Sequence, residues 1–548
     1  MESVVLKKNK AHLPFLNKRI SVVGGLDPLG LQNSSVRTYS MLLPGLNNVT
    51  GKIRYYSFYC WLIHQYYNTN KSYSPKEQLR YIRFGEYVIA LLAHIDNEQP
   101  MQGISGSLYA NRQIENNEHR LIEATFNEDK TTTRGTYWTF KWGAFGQYYL
   151  GALRNLGLVD AHESTANLYD LPSFKSLENV ITGELLANVF EKSIIQKGTT
   201  EKDVFLEKIN NPDAEIDNAT LKKIRPLFDL TKVATDAERE ALTNLLLQAD
   251  YPHNIDYPTY YRKSTITELL AFLRDTDIEK PQSRNFTFYA YERKGQTALE
   301  DNSCMMGWFY YQFNEFWQFA NTSILNGFLD HLVITHGNQS VPFSNYLDEL
   351  TKATIEELER LFKQENLTDR NAHGIIIDNS VTMTVAELYH ALNKTQGIER
   401  VVLSFILIWK LFEENHEHLE NLTSFFKLKN LGTYNRFSSL GYLSYLREIA
   451  KQQTLYQYIH QFLHKHIIYR HQLVALKKMP STLSKTTQKF QLEENEIRYL
   501  RNYNPTFTGP RIGNLMSFLN DLEVIDTNKK LTKLGQKLLT ELLPNKNN

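Results

Sequence analysis

"PRIGNLMSFLNDLEVIDTNKKLTKLGQKLL", residues Pro510 to Leu539, decides how the rest of the chain is read. Ile512, Leu515, Leu519 and Leu522 recur at helical spacing, so its first half predicts a helix with one apolar stripe. Val524 and Ile525 form a short apolar pair, and Asp526, Thr527 and Asn528 supply turn chemistry before Leu531. Thr532 is placed to cap a second helix carrying Leu534, Leu538 and Leu542. The stretch therefore predicts helix, two short strands, helix.

The same layout occurs near the other end. "ALRNLGLVD", Ala152 to Asp160, aligns without a gap on "FLNDLEVID", Phe518 to Asp526, with Leu153 on Leu519, Leu156 on Leu522 and Leu158 on Val524. A polar tip, "AHESTAN", follows and then another helical run. Both stretches resemble the second half of a winged-helix domain, and "LTKLGQKLL" is similar to the wing exit and last helix of that superfamily. The resemblance implies a nucleic-acid reader or a protein-docking module, since the fold serves both. Charge separates the two copies. The first tip holds His162, Glu163, Ser164 and Thr165, with no cation to meet a phosphate. The second has Lys529 and Lys530, with Arg511 at the helix start and Asn514 and Ser517 on its polar face. Such groups suit phosphates and base edges, so the C-terminal unit is expected to touch nucleic acid and the N-terminal one to dock.

A basic tract precedes the terminal unit. From Lys451 to Phe490 there is no aspartate or glutamate, while Lys465, Arg470, Lys477, Lys478, Lys485 and Lys489 fall within it. Such a segment binds a phosphate backbone through counterion release, in a salt-dependent and sequence-tolerant way. The bland alternative is a solvated face, or neutralisation of the acidic "EENHEHLE" from Glu413 to Glu420. His460 and His464 lie one helical turn apart, as two zinc ligands do, but no cysteine or third ligand is near and a metal is not expected.

At 548 residues the chain is long enough for several packed modules, and its 42% apolar and 22% charged content is that of an ordinary globular protein. Net charge is +1, so attraction to a polyanion has to be local. Two cysteines, Cys60 and Cys304, stand far apart, which fits a reducing compartment and no disulfide scaffold. The first residues lack an apolar signal core, and the longest oily run, Val401 to Phe412, is too short for a membrane span. A cytoplasmic location is expected.

Helical signals dominate. Ser74, Pro75 and Glu77 mark a helix start, and Thr265 with Glu268 stand at capping-box spacing. Phe309, Phe313, Phe316 and Ala320 share one helical face, the pattern of a core helix. Strands are expected at "NFTFYAYERKG", Asn285 to Gly295, and as a hairpin at "KFQLEENEIRYL", Lys489 to Leu500.

Catalytic constellations are weak. Asp277, Glu292 and Lys294 follow the acid and Glu-x-Lys order of restriction-type nucleases, which needs the last two on a strand. Arg112 and His119 have the spacing of the helical ribonucleases called HEPN, a resemblance that implies a phosphate-holding arginine and a basic histidine. "GLNNVTGKI", Gly45 to Ile53, has the wrong glycine spacing for a phosphate-binding loop. The segment Gly24 to Trp61 reads as a long structured loop that enters a helix after Thr50, and Arg37, Lys52 and Arg54 form a possible anion or partner site in it.

The expected fold is mainly α and multi-helical, with two winged-helix-like units near the ends. Its parts are an N-terminal loop and helical region (1–130), a winged-helix-like unit (131–195), a central helical body with a short strand near 285–294 (196–450), and a basic C-terminal region (451–548). The layout, and the segment running from "HQLVALKKMP" to "LGQKLL", resemble uncharacterised bacterial accessory proteins of restriction and phage-defence systems. The expected function is an accessory or scaffold role. It includes contacts to the backbone of DNA or RNA and a protein partner, with no catalytic residue, cofactor, metal or membrane contact. A nuclease, or a scaffold without nucleic acid, are the alternatives.

Overall fold

The computed structural model describes residues 27–47, 49, 51–69, 73–96, 98–126, 137–172, 180–248, 261–293, 303–378, 381–479 and 486–543. Helices dominate and the sheets are small, so the chain is mainly α. It divides into two compact units, one of Met1–Thr38 with Thr287–Thr508, the other of Tyr39–Phe286 with Gly509–Asn548. No helix among the described residues is long and apolar enough to cross a membrane.

The first unit is built on the helix Ser303–His336. Phe309, Phe313, Phe316 and Ala320 are buried as the stripe predicts, but so are Trp308, Trp317 and Leu325 on other sides, because the helix runs through the core. The helix Gly397–Asn415 packs against it at Gly327. A Cβ on Gly327 would stand 2.6 Å from the Gly397 carbonyl oxygen, so only glycine permits this approach. Polar residues of the central helix serve the extended chain at 502–508. Asn326 donates to the Tyr503 carbonyl at 2.9 Å, Gln318 to that of Thr506 at 3.4 Å, and Glu315 accepts from the Thr508 amide at 2.5 Å. A segment with no ladder of its own thus has partners for its backbone groups.

The hairpin is present as Phe490–Glu493 and Glu496–Tyr499, with Val341–Pro342 as a third strand. Glu494 and Asn495 both take positive φ, as a tight two-residue turn between twisted strands requires. The strand expected at 285–294 is instead part of a helix, Ser283–Glu292. Its alternating aromatics suggested period 2, yet Phe286 with Ala290 and Thr287 with Tyr291 are the buried pairs, a helical period. Phe286 meets Phe272 at 5.8 Å, and Tyr291 meets Phe309 at 5.6 Å.

In the second unit, Ser74 accepts from the Glu77 amide and starts the helix Pro75–Leu92, as read. Thr265 does not start its helix, which runs Arg262–Asp275, and the Thr265 hydroxyl donates to the Leu42 carbonyl at 3.1 Å. The segment read as a long loop contains a helix, Gln32–Leu42, and the helix expected after Thr50 begins at Arg54.

The two similar stretches share local geometry in this unit. In each, an amide reaches back to close a helix end, Leu158 to the Leu153 carbonyl and Val524 to that of Leu519, both at 2.8–2.9 Å. Gly157 and Glu523, which align, both take positive φ. A glycine then presses on the matching carbonyl, Gly183 on Leu158 and Gly535 on Val524, where a Cβ would stand 2.1 Å from the oxygen in each. The next helices, Gly183–Ile195 and Lys533–Leu542, are capped by Thr182 and Thr532. The strand pairing is minimal. The first copy has Asp160–Ala161 against Tyr169–Asp170, and the second a single bridge, Ile525 to Leu531.

Candidate nucleic-acid interface

The basic tract and the terminal helix pair fall in different units, residues 451–508 in the first and 509–548 in the second.

Thr454 and Gln457 form a reciprocal capping box that starts the helix Leu455–Phe462. It continues through a wide-turned stretch, Leu463–Tyr469, into Arg470–Lys478. Leu455, Ile459, Phe462, Ile467, His471 and Val474 are buried, which fixes the inner face. Lys465, Tyr469 and Lys477 emerge on the outer one.

Half of the expected cations face inward. Arg470 donates to the carbonyls of Leu29 at 2.7 Å and Gly30 at 3.2 Å and lies 4.7 Å over the Phe437 ring. Lys478 donates to the Asp27 carbonyl at 2.7 Å. Lys489 is only 2% exposed and sits 5.8 Å over Tyr503. These residues hold the turn at 27–31 and the hairpin edge, whereas Lys465 and Lys477 are exposed. Lys485 lies outside the described residues. Between Arg470 and Lys489, the His471 ring accepts the Lys489 amide at Nε2 and donates from Nδ1 to the Pro28 carbonyl. That pattern needs the neutral ring, and burial pushes its pKa down to about 4.

Burial, reinforced by Arg501 and Lys478, pushes Lys489 from 10.5 down to about 8. The unfolded chain therefore binds the proton more tightly, and this residue costs stability below pH 8, a cost that fades as pH rises towards 10.5. Lys489→Met is expected to raise the urea midpoint at pH 7 and to lose that advantage near pH 10.5. An equal gain at both values would contradict the assignment.

In the second unit, the polar face of the helix Ile512–Asp521 meets its own chain. Arg511 donates to the Leu43 carbonyl at 3.2 Å and lies 4.7 Å over Tyr39. Asn514 donates to the Asn47 carbonyl at 2.6 Å, and the Ser517 hydroxyl to Gly513 at 3.1 Å. Lys530 donates to the Thr276 carbonyl at 3.1 Å. Lys529 is half-buried, and burial followed by Lys280 lowers its pKa. Sequence reasoning gave Arg511, Asn514 and Lys530 to nucleic acid because it could not show that backbone carbonyls from distant segments would take them.

Of the expected anion site, Arg37 belongs to the first unit and Lys52 and Arg54 to the second, and each has a partner within its own unit. Arg37 donates to the Asn430 carbonyl, Lys52 pairs with Asp521 at 2.8 Å, and Arg54 is buried against Glu238 at 3.0 Å. The restriction-type nuclease reading needs a strand at Glu292. Glu292 ends a helix and not a strand, Asp277 is in an exposed connection, and Lys294 lies outside the described residues. Arg112 is on the short helix Ser107–Gln113, whereas His119 is 2% exposed on the strand Glu118–Arg120, with Nε2 2.8 Å from Asn218 Oδ1. A base so enclosed cannot meet a substrate. Burial lowers both His460 and His464, and the described residues contain no metal-binding cluster.

The structure adds residues the sequence reading missed. A cavity of about 450 Å³ opens beside Lys465, walled by Tyr442, Tyr458, Phe462 and His466, with Arg436 and Tyr445 also lining it. The signal was present. From Lys427 to Leu492 the only carboxylate side chain is Glu448, so the acid-poor stretch begins well before Lys451. Among the described residues no ion pair engages Arg436, Lys465 or Lys477.

Comparison of the chain with protein-family models, with curated proteins and with solved structures finds no match.

Proposed function

We propose that the protein is a non-catalytic accessory or scaffold that grips the sugar-phosphate backbone of DNA or RNA through its first unit. The observation that carries this reading is the set of outward cations, Arg436, Lys465 and Lys477, in a stretch whose single carboxylate is Glu448. Cations without carboxylate partners keep their field for a polyanion, and counterion release then drives association. Exposed Tyr469 beside them adds a ring on which an unpaired base can stack. The helix pair around Ile512–Leu542 is read as a reduced winged-helix unit used for docking, a reading supported by the bonds of Arg511 and Asn514 to backbone carbonyls of their own unit. Exposed Leu428 and Leu476 offer apolar contacts to a protein partner in the same assembly. We read that assembly as part of a bacterial, cytoplasmic DNA-related or anti-phage defence system, a reading supported by the sequence resemblance to restriction and phage-defence accessory proteins.

The test is fluorescence anisotropy with labelled duplex and single-stranded probes over a range of salt concentrations. Binding that weakens steeply with salt and tolerates sequence changes is expected. Lys477→Glu should weaken it several-fold for every probe alike. Affinity indifferent to salt, or none at low salt, would overturn the proposal.

A further inference from the structure

We infer that the cavity beside Lys465 is a nucleotide site, taking one base against its ring-lined wall and the attached phosphate at Arg436 and Lys465. The inference rests in part on the polyanion reading above, but it assigns a separate contact with its own chemistry.

Three properties of the cavity point to this ligand. The first is shape. A volume of about 450 Å³ suits a single small planar ligand. Its wall is set before any ligand arrives. The hydroxyls of Tyr442 and Tyr458 are 3.0 Å apart, Trp409 donates to Tyr458 at 3.3 Å, and the Phe462 and His466 rings stack at 4.8 Å and 13°. Tyr442 packs edge-on against both rings, at 5.4 Å from Phe462 and 4.9 Å from His466. Rings held this way lose little freedom on binding.

The second is Tyr445, which is 57% exposed while its neighbour Tyr442 is buried. Aromatic faces of this kind stack on bases without regard to sequence. The third is the polar rim. Arg436 and Lys465 supply two positive charges against the one negative charge of Glu448. Gln452, Gln453 and Gln461 bring amides that both donate and accept, as base edges require. Gln461 accepts from Lys465 at 3.3 Å, which holds the ammonium at the rim. Burial, then Arg436 and Lys465, push His466 down to about 3, so its ring is neutral and adds no charge to the wall. A lipid headgroup would leave the flat rings unused, and an acidic peptide would meet Glu448 without gaining a stacking partner.

The ligand is either a free nucleotide or one residue of a strand, and two probes separate these. The full chain is titrated with AMP by calorimetry and with a fluorescent oligoadenylate by anisotropy, in wild type, Tyr445→Ala, Tyr445→Trp and Lys477→Glu. Tyr445→Ala is expected to weaken the responding probe about 10-fold or more, with an unchanged salt slope, while Tyr445→Trp keeps the affinity. AMP binding that depends on Tyr445 marks a free-nucleotide site. Oligoadenylate binding that depends on Tyr445 without competition from AMP marks a strand. If Lys477→Glu weakens the oligonucleotide and Tyr445→Ala changes neither probe, the nucleotide site is overturned and the backbone reading stands. If AMP binds through Tyr445 and no probe shows salt-dependent binding, the backbone reading falls and the site stands. If neither probe binds, both fall.

Discussion

Arg54→Ala is expected to destabilise the second unit by about 3–5 kcal/mol, the range found when one partner of a buried ion pair is removed. The Arg54 Nε lies 3.0 and 3.1 Å from the two Glu238 oxygens, and both side chains are 1% exposed or less. Its other nitrogens donate to the Asp229 carbonyl at 2.7 Å and the Ser193 hydroxyl at 3.2 Å, and the guanidinium lies 4.9 Å over Phe190. Glu238 also accepts from the Ser57 hydroxyl at 2.8 Å and the Ala234 amide at 3.2 Å. Removing the arginine leaves a buried carboxylate and a carbonyl without their donor. Urea unfolding of the full chain measures the loss. Replacing Arg54 by Met and Glu238 by Leu together should recover much of it, because no charge is then stranded. A loss below about 1 kcal/mol for Arg54→Ala would show that the pair is solvated.

Raising the pH from 5 to 8 is expected to remove about 3 kcal/mol through one buried carboxyl in each unit, a loss that His466 and His471, held neutral in the first unit, oppose by gaining stability over the same range. Burial pushes Glu315, in the first unit, and Glu86, in the second, from 4.5 up to about 7. A carboxyl whose folded pKa is raised binds its proton more tightly when folded. Its contribution is therefore full below about 4.5 and is lost as pH climbs through 7. Glu315→Gln should remove the carboxyl's loss and leave the rise from His466 and His471 unopposed, with a gain of up to about 3 kcal/mol at pH 8 and little change at pH 5. Glu86→Gln should behave differently. The Glu86 carboxyl accepts from the Tyr59 hydroxyl and from the Ala144 and Phe145 amides, so a carboxamide puts a donor against donors. That variant should lose stability at pH 5 as well. Parallel pH profiles for wild type and Glu315→Gln would contradict the assignment.

What the sequence disclosed depended on how local the controlling interaction was. The Ser74 cap, the Phe490–Tyr499 hairpin and the apolar stripe of the Ser303–His336 helix each depend on residues within a few positions, and each was legible. The Ser283–Glu292 helix was misread because its aromatics alternate, and only packing shows which pairs are buried. The helix Gln32–Leu42 was read as loop because "QNSSVRTYSML" is polar and poor in strong helix formers.

The candidate site was legible as charge but not as direction. The acid-poor tract was visible, yet Arg470 reaches a carbonyl 441 positions away and Lys478 one 451 positions away. No window along the chain shows such partners. The cavity brings Arg436 from a loop and Lys465 from a helix to one opening, which depends on the packing of Tyr442 against Phe462.

The most direct test compares the salt dependence of binding for wild type and the triple variant Arg436→Ala, Lys465→Ala, Lys477→Ala on one single-stranded probe. Log affinity should fall linearly with log salt, and the triple variant should bind more weakly with a slope shallower by about 2–3. Binding with the same slope in both proteins would place the polyanion elsewhere and contradict the role given to these three cations.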